Sequence, residues 1–177
     1  MHKMTRRRFV QGTTGLLAMH AVPVVANLRS TTPRQSAGPF YPVELPLDDD
    51  NDLTNVAGRE QTASGQITDL DCRILDQNGR PLGGLRIEIW QCYINGRYRN
   101  PRDSGDRPID PAFQGIGHTI SDRLGRYRFR TIRPRQNPGR TPHSHVAVFP
   151  AGVETVTTQH DAAVDPRTES DCLYQRV

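Results

Sequence analysis

The fold is decided by a ten-residue stretch, Arg140-Thr141-Pro142-His143-Ser144-His145-Val146-Ala147-Val148-Phe149. Its last four residues, Val-Ala-Val-Phe, favour a β-strand. Side chains two positions apart on a strand point to the same side, so His143 and His145 can reach one metal ion. Imidazole is the commonest protein ligand for metals. The alternative is a pair of exposed loop histidines, and the surrounding sequence has to decide between the two interpretations.

The sequence from Gly65 onward alternates between strand-like runs and turns. Apolar and polar residues alternate with a period of two in Leu85–Gln91 and Arg126–Ile132, as they do in half-buried strands. We predict strands near residues 66–75, 85–91, 126–132 and 144–149. No long amphipathic helix and no internal repeat is apparent. The pattern predicts an all-β protein with a single β-sandwich domain.

The segments between and before these strands are rich in glycine, proline and polar residues. Asn78-Gly79 follows the first predicted strand and is a strong hairpin signal. Residues 97–118 are loop-like, and loops of that length in a compact domain usually carry function. We therefore divide the chain into an export signal (1–26), an extended arm and loop (27–64) and a β-sandwich domain (65–177).

The first 26 residues have the pattern of an export signal. Thr5-Arg6-Arg7-Arg8-Phe9-Val10 precedes a mildly apolar run that ends at Ala26, a small residue suited to cleavage. The order of these residues resembles the twin-arginine signal of bacteria, which predicts an exported, periplasmic protein. A transmembrane helix is the alternative. It is disfavoured because glycine, histidine and proline interrupt the run, which is shorter than the ~20 residues that span a bilayer.

Removal of this signal would change the charge balance. Residues 1–26 hold four of the 23 basic residues and none of the 19 acidic ones, so 19 of each remain in the other 151 residues. A basic charge that would attract nucleic acid is then missing, and no stable membrane anchor is left. Three cysteines remain, Cys72, Cys92 and Cys172, without a zinc-type spacing. We interpret them as small residues outside the chemistry.

Several motifs together resemble those of the intradiol ring-cleavage dioxygenases, the protocatechuate and catechol dioxygenases. The resemblance covers roughly residues 32–175, in the order that the family has. It is carried by Thr32–Gln35, Gly38–Pro42, Trp90-Gln91, Gly96-Arg97-Tyr98, Asp110–Gly115, Gly125–Pro134, Arg140–His145 and Thr157-Thr158-Gln159.

This resemblance implies a site as well as a fold. Members of the family hold a non-haem Fe(III) with two tyrosines and two histidines on a β-sandwich. Tyr98 matches the first tyrosine, and His143 and His145 match the two histidines. Arg140 matches an arginine that steadies negative charge on the substrate, and Gln159 matches a pocket glutamine. The implied partners are a small aromatic 1,2-diol and O₂, and a homo-oligomer is compatible with the family.

One position departs from the family pattern. The second tyrosine ligand belongs in a Pro-Tyr-Pro ahead of the arginine, and Asn137 occupies that position. A neutral amide is a poor ligand for Fe(III), so Tyr98 and the two histidines would remain. Three hypotheses follow: an active iron dioxygenase, a catalytically impaired β-sandwich binding module, and a zinc-type site of two histidines and one tyrosine.

Other side chains are weaker candidates for the site. Tyr127, Tyr93 and Tyr41 are expected to pack in the core or line the pocket rather than to replace the missing ligand. His118 and His160 are expected to lie in loops or beside the pocket. Relatives continue past Tyr174-Gln175-Arg176-Val177 into a further strand, so we also expect an exposed sheet edge.

Overall fold

Six β-strands make up the regular structure. The protein's computed structural model describes residues 30–46, 48–151 and 155–161. The strands are β1 (Ile67–Arg73), β2 (Arg86–Trp90), β3 (Ile116–Ile120), β4 (Arg126–Ile132), β5 (His143–Phe149) and β6 (Val156–Asp161). Within these ranges no helix is long and apolar enough to cross a bilayer. The export signal predicted for residues 1–26 lies outside the described residues and stays a prediction.

The strands form two antiparallel sheets. β1 pairs with β4 in a two-stranded sheet, and the order β3-β2-β5-β6 forms a four-stranded sheet. The sheets pack face to face, which confirms the predicted all-β sandwich.

Alternate residues of the strands supply the core between the sheets. Ile87 and Ile89 of β2 and Val146 of β5 are buried and belong to one cluster with Phe129 of β4. Burying one such side chain contributes about 1.5–3 kcal/mol. The three arginines of β4 point to the other side of their sheet and are exposed, so the alternation seen in the sequence is the alternation of core and surface.

The four predicted strands are present, but the sequence analysis missed β3 and β6. Residues 97–118 were assigned to a loop, and this is wrong for its last three residues because β3 begins at Ile116. His118 is therefore a strand residue, opposite Glu88 of β2. β3 was missed because Ile116-Gly117-His118 lacks a run of strand-forming side chains and follows a segment rich in proline and glycine.

The hairpin predicted at Asn78-Gly79 is present but short, since Leu75 and Pro81 form an antiparallel bridge and Leu82 N donates to Ile74 O (3.1 Å). Its turn is closed by hydrogen bonds from Gly79 N to Asp76 O (2.9 Å) and from Asp76 N to Arg80 O (2.8 Å). The flanking strands β1 and β2 do not pair with each other, because β1 pairs with β4 and β2 pairs with β3 and β5. The turn lies on a connection that passes from one sheet to the other.

The N-terminal arm covers both edges of the four-stranded sheet. Along β6, Gln35 N donates to Thr157 O (2.9 Å) and Thr158 Oγ1 donates to Pro33 O (3.0 Å). Along β3, His118 N donates to Asp49 O (2.7 Å). The arm thus makes hydrogen bonds to β6, a strand at the edge of its sheet.

The arm also enters the core. Leu53 is fully buried in the cluster between the sheets. It reaches this position because Gly117 of β3 has no side chain: a Cβ there would collide with Asp50 O and the Leu53 side chain. The arm therefore packs as part of the sandwich.

Candidate metal site

β5 places its two histidines on the face of the four-stranded sheet that points away from the sandwich core. Val146 packs in that core, so His143 and His145 point the other way. A second apolar cluster covers them, with Trp90, Cys92, Tyr98, Ile116 and Ala147 packed against Ala37, Phe40 and Tyr41 of the arm. The candidate site thus lies in a layer between the sheet and the arm.

A buried amide fixes the strand between the two histidines. Ser144 Oγ donates to Gln91 Oε1 (2.8 Å), and Thr131 Oγ1 donates to the same oxygen (3.1 Å). Gln91 Nε2 donates to Ile132 O (2.9 Å). All three side chains are buried, so these bonds tie β5 to β4 of the other sheet. The sequence analysis gave Gln91 and Ser144 no role, although a glutamine next to Trp90 on a buried strand signals an amide that needs partners.

The loop after β2 brings Tyr98 to the histidines. Its backbone turns back on itself, since Tyr93 N donates to Arg97 O (2.7 Å) and Gly96 N donates to Tyr93 O (2.8 Å). Asp103 then anchors the tyrosine, because its Oδ2 accepts a hydrogen bond from Tyr98 N (2.8 Å). Asp103 is buried and was not identified from the sequence; its spacing from Tyr98 matches no recognised motif.

Three possible metal donors converge at one point. Tyr98 Oη lies 3.3 Å from His143 Nε2, and His143 Nε2 lies 3.2 Å from His145 Nε2. Bonds of about 2.1 Å at tetrahedral or octahedral angles place neighbouring donors about 3.0–3.4 Å apart. The spacing of the three atoms therefore fits a shared metal ion.

A hydrogen bond fixes which nitrogen of His143 is available to a metal. His143 Nδ1 donates to Thr141 O (2.7 Å), which leaves the lone pair on Nε2. That single lone pair faces both the Tyr98 hydroxyl and His145 Nε2 and can accept only one hydrogen bond. A cation would instead take a lone pair from all three atoms. The residues present fit the metal that the resemblance implies.

His145 is held in its neutral form, which is the form that binds metals. Its ring stacks on Trp90 with centroids 4.9 Å apart and planes within 3°. Burial lowers the pKa of His145 to about 3, with further lowering from His143 and Arg140. The imidazole is consequently uncharged at neutral pH, and no proton has to be displaced from an imidazolium when a metal binds.

Tyr98 is held as a neutral phenol until a cation is present. Its ring stacks on Phe40 of the arm with centroids 5.0 Å apart. Burial raises the pKa of Tyr98 well above its usual range, and Cys92 raises it further, while Arg140 lowers it. Ionisation to the phenolate that a ferric ion prefers thus requires the metal charge itself.

Arg140 and Gln159 border the same site. Arg140 Nη2 donates to Gln159 Oε1 (2.7 Å), and Gln159 Nε2 lies 3.4 Å from His145 Nδ1. Gln159 lies opposite His145 on β6, which brings it to this face. Gln159 therefore lies between Arg140 and His145. The structure brings together all five predicted site residues, and their roles in binding and catalysis stay predictions.

Asn137 makes a structural contact at the position of the missing tyrosine. Its Nδ2 donates to Gly96 O (2.9 Å), and its own carbonyl accepts a hydrogen bond from Arg140 N (3.0 Å). Asn137 thereby joins the loop that precedes Arg140 to the loop that carries Tyr98.

The other tyrosines and histidines have different partners. Tyr41 Oη donates to Glu88 Oε2 (2.8 Å), Tyr93 packs on Phe113, and Tyr127 packs on Phe129. His118 Nδ1 lies 2.6 Å from Asp49 O. His160 is next to Gln159 on β6 and therefore points into the sandwich, where its Nε2 lies 3.8 Å from Cys72 Sγ. The expectation that His160 lies in a loop or beside the pocket is therefore wrong, because it is a β6 residue on the other face of the sheet.

Comparisons with known proteins place these features in one family. Residues 37–176 match the family described as Dioxygenase. The chain is 32% identical over 179 residues to the protocatechuate 3,4-dioxygenase beta chain of Burkholderia cepacia, covering 88% of this chain and 76% of that one. It is 27% identical to catechol 1,2-dioxygenase of Acinetobacter baylyi, covering 89% of this chain but 55% of that protein. It therefore spans about half the length of the latter relative.

A solved structure gives the same result for the fold. The dioxygenase domain of a dioxygenase carbohydrate-binding protein fusion from Streptomyces sp. SirexAA-E superposes with a TM-score of 0.63 at 26% identity. The match covers 82% of this chain and 83% of that domain.

Proposed function

Because this chain belongs to the family of intradiol ring-cleavage dioxygenases, we propose that it cleaves the ring of an aromatic 1,2-diol with O₂, using non-haem Fe(III) held by Tyr98, His143 and His145. The observation that carries the proposal is the convergence of one phenol oxygen and two imidazole nitrogens within 3.2–3.3 Å at a buried point. A phenolate is a hard anionic donor suited to Fe(III), and imidazole suits iron as well.

The iron would supply charge transfer from the two diol oxygens, which makes a ring carbon reactive toward O₂. The protein residues prepare the place where this occurs. Arg140 contributes a fixed positive charge next to His145, where negative charge on the substrate needs stabilisation. Its bond to Gln159 (2.7 Å) holds the guanidinium in position. Phe40 and Trp90 pack against Tyr98 and His145 and help to keep water away from the donor atoms.

The proposal is tested with the full chain loaded with iron. We expect a visible absorption band from tyrosinate bound to Fe(III), and O₂ uptake on addition of catechol, protocatechuate or hydroxyquinol. A folded, iron-loaded sample that shows neither the band nor the uptake would contradict it. Metal analysis of the protein as purified tests the zinc alternative, because zinc in the absence of iron would support a hydrolytic site in its place.

The catalytically impaired binding module is the second candidate, and Asn137 is the observation that favours it. Its amide is bonded to Gly96 O and supplies no anionic ligand. For Asn137→Tyr we expect iron to bind about 10-fold more tightly, because a phenolate would join the three donors. The matched control Asn137→Phe loses the same hydrogen bond, worth about 0.5–1.5 kcal/mol, and has no hydroxyl.

Iron titration and O₂ uptake of the two variants separate the candidates. An active native chain is expected to show uptake without the substitution. If uptake appears only in Asn137→Tyr, the native protein is the impaired module. If Asn137→Phe tightens iron binding equally, the hydroxyl is not the cause.

A further inference from the structure

A second cluster of reactive side chains lies inside the sandwich, on the opposite face of the four-stranded sheet from the metal site. Cys72 of β1 lies directly opposite Tyr127 of β4 in the two-stranded sheet. From the other sheet, His160 Nε2 comes within 3.8 Å of Cys72 Sγ. A thiol, an imidazole and a phenol therefore meet at a place that the proposed ring cleavage does not use.

An open pocket lies beside Cys72. It has a volume of about 640 Å³ and is lined by residues of β1, β3 and β4 together with Asn51 and Asp122. Its wall includes Cys72, Tyr127 and Thr119, which belong to the inward-facing sets of their strands. Cavities that bind small molecules usually measure about 300–1,000 Å³. Cys72 is half-buried and forms part of the wall of a pocket that is open to solvent.

The protonation states suit base-assisted attack by the thiol. Burial raises the pKa of Cys72, so the sulfur carries its proton at neutral pH. Burial also lowers the pKa of His160, so the imidazole is neutral and its nitrogen can accept that proton. A neutral imidazole next to a thiol is the arrangement in which a base activates a weak nucleophile.

We propose that Cys72 is a covalent-modification site for quinones, with His160 as the proton acceptor. Oxidation of an aromatic 1,2-diol by O₂, which takes two electrons and two protons and becomes hydrogen peroxide, gives a 1,2-quinone, a soft electrophile that reacts with sulfur. The source of the quinone rests on the proposed function; the reactivity of the thiol does not.

The addition step balances without a further reactant. Cys72 Sγ forms a bond to a ring carbon conjugated to a carbonyl, while the thiol proton passes to His160. The π electrons move to the carbonyl oxygen, which takes a proton from His160. Solvent then transfers the hydrogen of the attacked ring carbon, as a proton, to the second carbonyl oxygen, which restores the aromatic ring. The quinone is reduced to the diol level, the sulfur becomes a thioether, and the protein gains the mass of one quinone.

Cys92 provides an internal comparison. It is buried to 1% exposure, its Sγ donates to Arg135 O (3.3 Å), and burial raises its pKa to about 11. Cys172 lies outside the described residues.

The test treats the full chain, without iron or diol, with 1,4-benzoquinone and follows the intact mass and the modified peptide. We expect one adduct, on Cys72, which is lost in Cys72→Ser and retained in Cys92→Ser. His160→Gln keeps the side-chain bulk but removes the base, so the rate of addition at neutral pH is expected to fall about 100-fold. Its rate should then rise about tenfold per pH unit, as expected for a thiol that must ionise unaided.

An adduct confined to Cys92 or Cys172, no adduct, or an unchanged rate and pH profile in His160→Gln would overturn the proposal. Thermal unfolding shows whether each variant keeps the native fold. If His160→Gln has lost it, His160→Asn takes its place in the test. A parallel sample with catechol and a chemical oxidant tests the 1,2-quinone as the source. Because the labelling needs no ring cleavage, failure of the proposed function leaves its result unchanged.

Discussion

His143→Ala is expected to remove iron binding and ring cleavage together. The imidazole is buried, and its Nε2 lies within 3.2–3.3 Å of both other donor atoms. Loss of even a supporting partner of a metal ligand costs about 10–100-fold in affinity, so loss of a ligand should cost at least about 100-fold. O₂ uptake with catechol should fall to the level of the iron-free protein. Iron titration followed by oxygen electrode measurements would check both.

The matched control is His118→Ala. His118 is partly exposed on β3 and contacts Asp49, so its removal should leave iron affinity and uptake unchanged. Unfolding in denaturant shows whether His143→Ala is still folded. This check is needed because the cavity left by the imidazole also lowers the free energy of unfolding. Native iron affinity in a folded His143→Ala variant would show that the metal binds elsewhere.

Tyr98→Phe is expected to abolish the visible band of the iron-loaded protein. The band requires a phenolate on the metal, and the substitution deletes only the hydroxyl. The ring should stay stacked against Phe40, so the fold is retained. With two histidines left as donors, iron affinity should fall by at least about 100-fold, as for the loss of His143. Absorption spectroscopy at saturating iron separates loss of the ligand from loss of the metal.

Tyr41→Phe is the corresponding control. It removes the hydrogen bond from Tyr41 Oη to the buried Glu88 carboxylate, at a cost of about 1–3 kcal/mol in stability. Because Tyr41 has no contact with the three donors, the visible band should persist. A band that survives in Tyr98→Phe and disappears in Tyr41→Phe would reverse the assignment of the ligand.

The sequence was sufficient for those strands whose alternation is strong. Leu85–Gln91 and Arg126–Ile132 alternate clearly because one side of each strand faces the core and the other does not. β6 was missed because Val156-Thr157-Thr158-Gln159-His160-Asp161 has little apolar contrast between its two faces. The reason is structural: one face of β6 lies in the metal-site layer and carries Gln159, so neither face is simply apolar or simply polar.

Strand pairing was harder to predict than strand position. Asn78-Gly79 forms a turn because of local backbone preferences, and these preferences say nothing about which sheet the next strand joins. β2 joins the other sheet, where its apolar side packs in one cluster with Val146 and Phe129. These residues are far apart in sequence.

The residues of the site could be predicted from their types, but the layer of the fold in which the site lies could not. The same-face geometry of His143 and His145 followed from strand periodicity, and Tyr98, Arg140 and Gln159 followed from the resemblance. That the site lies outside the sandwich core, beneath Phe40 and Tyr41, could not be derived, because alternation does not reveal which face the arm covers. Gln91 was missed because its partners are distant in sequence, and Asp103 because its spacing from Tyr98 matches no recognised motif.

The arm has a consequence for the behaviour of this protein in solution. The residues that cap β6, Pro33–Gln35, are separated by only a few positions from Phe40, which packs on Tyr98. An uncapped strand edge invites self-association into aggregates. A substitution that loosens this segment would therefore have two effects. The protein would precipitate, and water would reach the proposed metal ligands. Solubility and chemistry depend here on the same short piece of chain, and selection on either one constrains the other.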